Sequence, residues 1–260
     1  FAHTNVLVVG DVMVDEYIHG TCDRISPEAP VPIIRLSNKH HKPGGAANVA
    51  MNLASLGANV HLVSVTGKDD FAEVLKDKLK HKNLYTHLIL EKSRRTTVKS
   101  RIISSDQQLL RIDHEDQHPI DMDSIHMLMQ RIITLHANSN FDLILFQDYN
   151  KGFFCEESIK ELLNWAQENR IMTALDPKIE NIEMFSGIDL FKPNLKELSR
   201  FLNLEISANQ VQLDQSINLL KQKIKFNSTI VTLSSSGIYI YNNDQSLHAF
   251  PKKRSIIDVS

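Results

Sequence analysis

Cysteine is almost missing from this chain: Cys22 and Cys155 are the only two in 260 residues, and they stand far apart. That excludes a disulfide-stapled scaffold and a cysteine zinc site, and points to a reducing cytoplasm. No apolar run approaches the roughly 18 residues that a membrane-crossing helix needs. No block of like charge is long enough to make a tail either: 29 Lys and Arg stand against 31 Asp and Glu, a formal net charge of −2. This argues against a nucleic-acid surface or a charged tail, so any basic site is local. Internal repeats, low-complexity segments and the spaced glycines of a dinucleotide fingerprint are absent as well. The chain opens on Phe1-Ala2-His3-Thr4-Asn5 without a leading Met or a signal peptide, which reads as a chain cut at its front.

What is present suits one large α/β domain, with 42% hydrophobic and 23% charged residues. Val6-Leu7-Val8-Val9 is a continuous apolar run ended by Gly10-Asp11, as expected of a strand buried on both faces. The pattern predicts helices over 45–56, 70–81, 122–136 and 156–169, with strands over 61–65, 143–146 and 171–175 between and after them. A short strand at Leu190-Phe191 follows, then helices from Asn194 and Ala208, and strands over 229–233, 237–241 and 246–250. Repeated βα units imply a mainly parallel sheet with helices on both faces. Two stretches break the alternation. Glu16 to Leu36 reads as short strand-like pieces interrupted by Pro27, Pro30 and Pro32, and Thr96 to Ile112 is also β-rich, so the two are expected to pair as a small lid sheet.

Candidate chemistry begins at Pro43-Gly44-Gly45-Ala46-Ala47-Asn48, which leads straight into a helix. Two residues without side chains let another molecule approach the backbone, and the helix aims free N–H groups at it. The plainer reading is a tight turn into a small-residue helix; Asn48, an amide one turn inside, favours a grip on hydroxyls. Asp15 is expected just past the carboxyl end of the first strand, where α/β sheets place ligands, and a hydroxyl-binding carboxylate and a solvated turn residue both fit. Four further loops follow strand ends: Asp148 to Gly152 with Lys151, Asp176-Pro177-Lys178, Lys192 to Glu197, and Ser234 to Gly237. Any one alone reads as a turn; together they make a rim. Lys99 and Arg101, two apart on an extended segment, share a face, and with Arg111 they suit a phosphorylated substrate or protect an edge strand.

The strings Gly10-Asp11-Val12-Met13-Val14-Asp15, Arg24-Ile25-Ser26-Pro27-Glu28-Ala29-Pro30-Val31-Pro32 and Pro43 to Ala58 resemble the ribokinase-type (PfkB) sugar kinases, and more narrowly the heptose-7-phosphate kinases of ADP-heptose synthesis. Gln107 to Asp113, Asp148 to Gly152, Asp176-Pro177-Lys178 and Pro193-Asn194-Leu195-Lys196-Glu197 follow in the same order. The resemblance implies a ribokinase-like α/β fold over 1–260, truncated at its C-terminal end, with a lid of about 13–41 and 96–113. It implies an ATP- and Mg2+-dependent phosphotransferase acting on the anomeric hydroxyl of a sugar phosphate, working in the cytoplasm as a homodimer through the lid. Asp15, Gly44, Gly45 and Asn48 would hold sugar hydroxyls; Lys99, Arg101 and Arg111 the substrate phosphate, with Asp148 and Lys151 also at the substrate. Asn194, Leu195, Lys196, Glu197, Thr232, Ser234 and Gly237 would meet the nucleotide, Glu197 acting on magnesium through water. Asp258-Val259-Ser260 resembles the opening of the family's Asp-x-Thr-Gly-Ala-Gly-Asp sequence, so Asp258 and Ser260 would border a K+ site. The anion hole and catalytic Asp are then expected just beyond Ser260. The alternatives are another sugar kinase of this family and a non-catalytic sugar- or nucleotide-binding protein.

Overall fold

A computed structural model describes residues 1–105 and 107–251. The chain divides into two compact units, Phe1–Ile171 and Met172–Ser260.

The first unit is built on four parallel strands in the order β8 (Leu143–Gln147), β1 (Asn5–Gly10), β4 (Asn59–Thr66) and β5 (Leu84–Leu90). Leu7, Val8 and Val9 of β1 are fully buried, as a strand covered on both faces requires. Helix α1 (Ala46–Ser55) presents Ala46, Ala47, Ala50 and Ala54 to Val6, Val8, Val60 and Leu62, and the small side chains let it pack closely on the sheet. Helix α2 (Asp70–Lys78) starts where the Asp69 side chain accepts the Ala72 N–H at 3.0 Å. Its acidic first turn and basic last turn suit the helix dipole. Helix α3 (Met122–Ser139) is capped by Asp121 in the same way and stops at Asn140 in a left-handed conformation; helix α4 (Glu156–Glu168) closes the unit.

A second, four-stranded sheet belongs to this unit, in the order β3 (Pro32–Gly45), β2 (Val12–Ile25), β6 (Thr97–Ser104) and β7 (Gln107–His114). Here the structure corrects the sequence reading. The stretch from Glu16 to Leu36 holds no string of short pieces. Two fourteen-residue antiparallel strands run through it, with irregularities at His19/Gly20 and Cys22/Arg24. Proline is tolerated because Pro27 and Pro30 lie in the connecting turn and Pro32 only begins β3. Asp15 therefore sits inside a strand, not in a loop after β1. Strand β5, which the sequence reading does not include, continues the alternation by following α2 and pairing parallel with β4; its sequence, Leu-Tyr-Thr-His-Leu-Ile-Leu, carries polar residues without period.

The second unit has five strands in the order β9 (Met172–Asp176), β10 (Ile188–Phe191), β11 (Phe226–Thr232), β12 (Ile238–Asn242) and β13 (Gln245–Ala249). The first three are parallel and the last two pair antiparallel. Helix α5 (Leu195–Leu202) follows β10, and α6 (Gln210–Lys223) precedes β11. No helix among the described residues is long and apolar enough to cross a membrane.

Candidate active site

In the first unit, the glycine pair lies where β3 turns into α1. Gly44 faces Met13 and Gly45 faces Val12 across the strand pair, and a Cβ at residue 44 would run into the Asp15 carboxylate. Gly45 takes φ 60°, a conformation that side chains resist, and it is the N-terminal residue flanking α1 with no side-chain cap. The Ala46 N–H at the helix start donates to the Asp11 carbonyl at 2.9 Å, so the N–H groups that lack a side-chain cap are those of the residues after it, where the exposed Asn48 stands in the first turn.

The small sheet places Asp15 opposite Lys99, and Lys99 opposite Asp113, so the three share one face. Arg101 pairs with Asp15 at 2.6 Å. Arg111 lies opposite Arg101 and holds Asp113 at 2.8 Å. Lys99 lies 3.8 Å from Asp113 and 4.0 Å from Glu115. The basic residues expected for phosphate are therefore gathered as expected, but on a face of alternating charge rather than a purely cationic one. Lysine and arginine two residues apart can be read from a sequence; the carboxylates opposite them on β2 and β7 arrive only with the strand register.

The loop after β8 is held from beneath by a residue that no motif reading had singled out. The buried Asp11 carboxylate accepts the backbone N–H groups of Tyr149, Lys151 and Phe153 at 2.8, 3.2 and 3.2 Å. Burial pushes its pKa up to about 6; the three donors oppose that shift, and the neighbouring Asp148 adds to it. From the other side, Arg94 donates to the Lys151 carbonyl at 3.1 Å and to the His118 carbonyl at 2.7 Å, while Glu91 holds its guanidinium. Asp148 is buried and accepts the Asn150 N–H. Lys151 reaches Glu115 at 2.8 Å. Asp11 could have been suspected as a carboxylate directly after a buried strand; Arg94 and Glu115 carried no signal.

In the second unit, Asn194 and Glu197 form a reciprocal cap on α5. The Asn194 side chain accepts the Glu197 N–H and the Glu197 side chain accepts the Asn194 N–H, both at 2.9 Å. The other Glu197 oxygen takes Lys178 at 2.8 Å, and Asp176 pairs with Lys192 at 2.9 Å. Thr232 bridges to Asn194 as a parallel neighbour, bringing the two loops together. Leu195 opens the helix and Lys196 is exposed beside it. Ser234 and Gly237 both take positive φ, at 54° and 94°, in the turn between β11 and β12. Asp258 and Ser260 lie outside the described residues. Among the described residues no three His, Cys, Asp or Glu side chains gather as a metal site. A cation held chiefly by nucleotide phosphates needs only a carboxylate or two, reached through water, and Glu197 and Asp176 fit that demand.

A family model described as pfkB family carbohydrate kinase matches residues 3–260. The chain belongs to the pfkB family of carbohydrate kinases. Among curated relatives, the bifunctional protein HldE of Campylobacter fetus is 38% identical over 98% of this chain, which covers 55% of the relative. That of Campylobacter concisus is 39% identical over 98%, covering 53%. This pfkB chain thus spans about half the length of the curated relatives it matches. Among solved structures, Escherichia coli phosphofructokinase-2 with fructose-6-phosphate superposes with a TM-score of 0.77 at 18% identity, covering 98% of this chain and 82% of that one. A carbohydrate kinase from Agrobacterium tumefaciens gives 0.69 at 18%, covering 94% and 74%. These likenesses establish the ribokinase-like α/β fold, and the family's chemistry is phosphoryl transfer from ATP to an alcohol.

Proposed function

We propose that this pfkB chain is the kinase part of a protein that phosphorylates the anomeric hydroxyl of D-glycero-D-manno-heptose 7-phosphate, in the synthesis of ADP-heptose for lipopolysaccharide. The observation that carries this reading is one face of the small sheet, where a hydroxyl-binding carboxylate, Asp15, stands beside Lys99, Arg101 and Arg111, with Lys151 nearby. Such a face suits a substrate that is both polyol and anion. The identity of 38–39% over nearly the whole chain to proteins named HldE narrows the sugar.

In this reading Asp15, Gly44, Gly45 and Asn48 bind sugar hydroxyls, and Lys99, Arg101 and Arg111 face the substrate phosphate, with Lys151 also at the substrate. Asp148 is held beside them by the loop that Asp11 and Arg94 clamp. Asn194, Leu195, Lys196, Thr232, Ser234 and Gly237 line the nucleotide. Mg2+ bound with ATP would supply charge neutralisation on the moving phosphoryl group, with Glu197 as its outer carboxylate; K+ is the cation proposed near Asp258 and Ser260. The protein works in the cytoplasm, where ATP is found, and pairs as a dimer through the small sheet. The test is phosphoryl transfer by the intact protein from ATP to heptose 7-phosphate, followed by phosphorus NMR for a new anomeric phosphate. Equal or faster turnover of fructose 6-phosphate, or of the unphosphorylated heptose, would reject the substrate.

A further inference from the structure

Every polar handle of Lys151 is held by a residue distant in the chain. Its backbone N–H donates to the buried Asp11 carboxylate at 3.2 Å, its carbonyl accepts Arg94 at 3.1 Å, and its ammonium donates to Glu115 at 2.8 Å. Asp11 directly follows β1, Arg94 lies between β5 and β6, and Glu115 directly follows β7, so three separate parts of the unit converge on one residue.

The turn around Lys151 is pinned as firmly. One Asp11 oxygen takes the N–H groups of both Tyr149 and Lys151, and the other takes that of Phe153. The Gly152 carbonyl accepts the Ile120 N–H at 3.0 Å, and Asn150 and Gly152 adopt left-handed backbone with φ 53° and 85°. Two further charges are buried beside the turn: the Arg94 side chain is 6% exposed and its partner Glu91 2%. Burying charge is costly unless each group is paired and hydrogen-bonded, and a turn that only joined β8 to α4 could leave its N–H and carbonyl groups to water. What this fixing delivers is the Lys151 ammonium. Its side chain is 13% exposed, so it meets solvent, and Glu115 takes one of its three donors. A lysine already held at backbone and head has less freedom to lose when it meets a ligand.

We propose that Asp11 and Arg94 are positioning residues for substrate recognition, fixing the backbone on both sides of Lys151 so that its ammonium meets the sugar substrate preorganised. This rests on the reading of Lys151 as a substrate contact and adds the residues that aim it. Both act through Lys151.

The test is a double-mutant cycle on the intact protein, with kcat/KM for heptose 7-phosphate measured in wild type, Asp11→Asn, Lys151→Met and the two combined. Asp11→Asn keeps the side chain's shape but turns one acceptor oxygen into an NH2 group that faces an N–H donor, so the turn must shift. Its kcat/KM should fall roughly 10- to 100-fold through a higher KM for the sugar, with the ATP KM kept within about 2-fold. With the Lys151 ammonium already gone, the same change should cost less than about 3-fold. A loss as large in the Lys151→Met background as in wild type would overturn the proposal. So would a loss that falls on kcat alone with both KM values kept, the mark of a residue that only supports the fold. Should Asp11→Asn fail to fold, Arg94→Lys takes its place in the cycle: it keeps a positive charge against Glu91, but one ammonium cannot reproduce the guanidinium fork onto two carbonyls. Should wild type ignore heptose 7-phosphate, that substrate assignment fails by itself; the same cycle is then read by calorimetry with the sugar phosphate that a panel shows to bind.

Discussion

A methyl group at residue 44 would occupy the space that the Asp15 carboxylate fills. Gly44→Ala must therefore displace Asp15 and with it the Arg101 contact at 2.6 Å. Losing one charged hydrogen bond costs about 1.5–3 kcal/mol, so sugar KM should rise roughly 10- to 100-fold while the ATP KM stays within about 2-fold. Steady-state kinetics with each substrate varied in turn checks this, and a parallel rise in both would contradict it. Asn194 poses a sharper question, because its amide both caps α5 and is proposed to meet ATP phosphates. Serine is also a good cap, whereas alanine is not. Asn194→Ala should cost about 1 kcal/mol in a urea titration, and Asn194→Ser only a few tenths. If the amide touches the nucleotide, the serine variant keeps its stability yet raises the ATP KM. An unchanged ATP KM in Asn194→Ser would reduce Asn194 to a cap.

Strand β7 is exposed at every residue, with Leu109, Leu110 and Ile112 at 41%, 53% and 50%. Leu110 and Ile112, two apart, point to the same side of the sheet, and their strand is at its edge. An edge strand with two exposed aliphatics on one side is a pairing surface unless blocked by charge. The proposed dimer thus depends on this element. Leu110→Lys with Ile112→Lys should convert it to a monomer in light scattering, with the thermal midpoint of the fold little changed, because these side chains cover no core. A dimer that persists in the double variant would move the interface elsewhere.

Across the whole molecule, acid should act first through histidine. His87 lies beside His61, and burial, with the His61 and Arg131 charges, lowers its pKa to about 4 from 6.5. The folded state refuses a proton that the unfolded chain accepts below pH 6.5, so stability is complete above that value and drains as pH falls toward about 4. Asp11 works the opposite way. Its folded pKa of about 6 lies above the ordinary 3.8, so its contribution is complete below 3.8 and is lost as pH rises through 6. Urea titrations from pH 4 to 7 should show a shallower acid loss for His87→Gln than for wild type. A parallel curve would mean that His87 titrates normally in the folded protein. Much of this molecule was determined by local sequence. Apolar runs such as Val6 to Val9 demand buried strands, Ala46, Ala47, Ala50 and Ala54 demand a closely packed helix, and Asp69, Asp121 and Asn194 mark helix starts, because each of these depends on neighbours within a turn or two. The two fourteen-residue strands, the carboxylates that face Lys99 and Arg101, and the clamp of Asp11 and Arg94 on the loop at Lys151 were decided only by tertiary structure. The longest of these reaches across 140 positions, from Asp11 to Lys151, and strand register, which no local pattern specifies, sets which side chains meet.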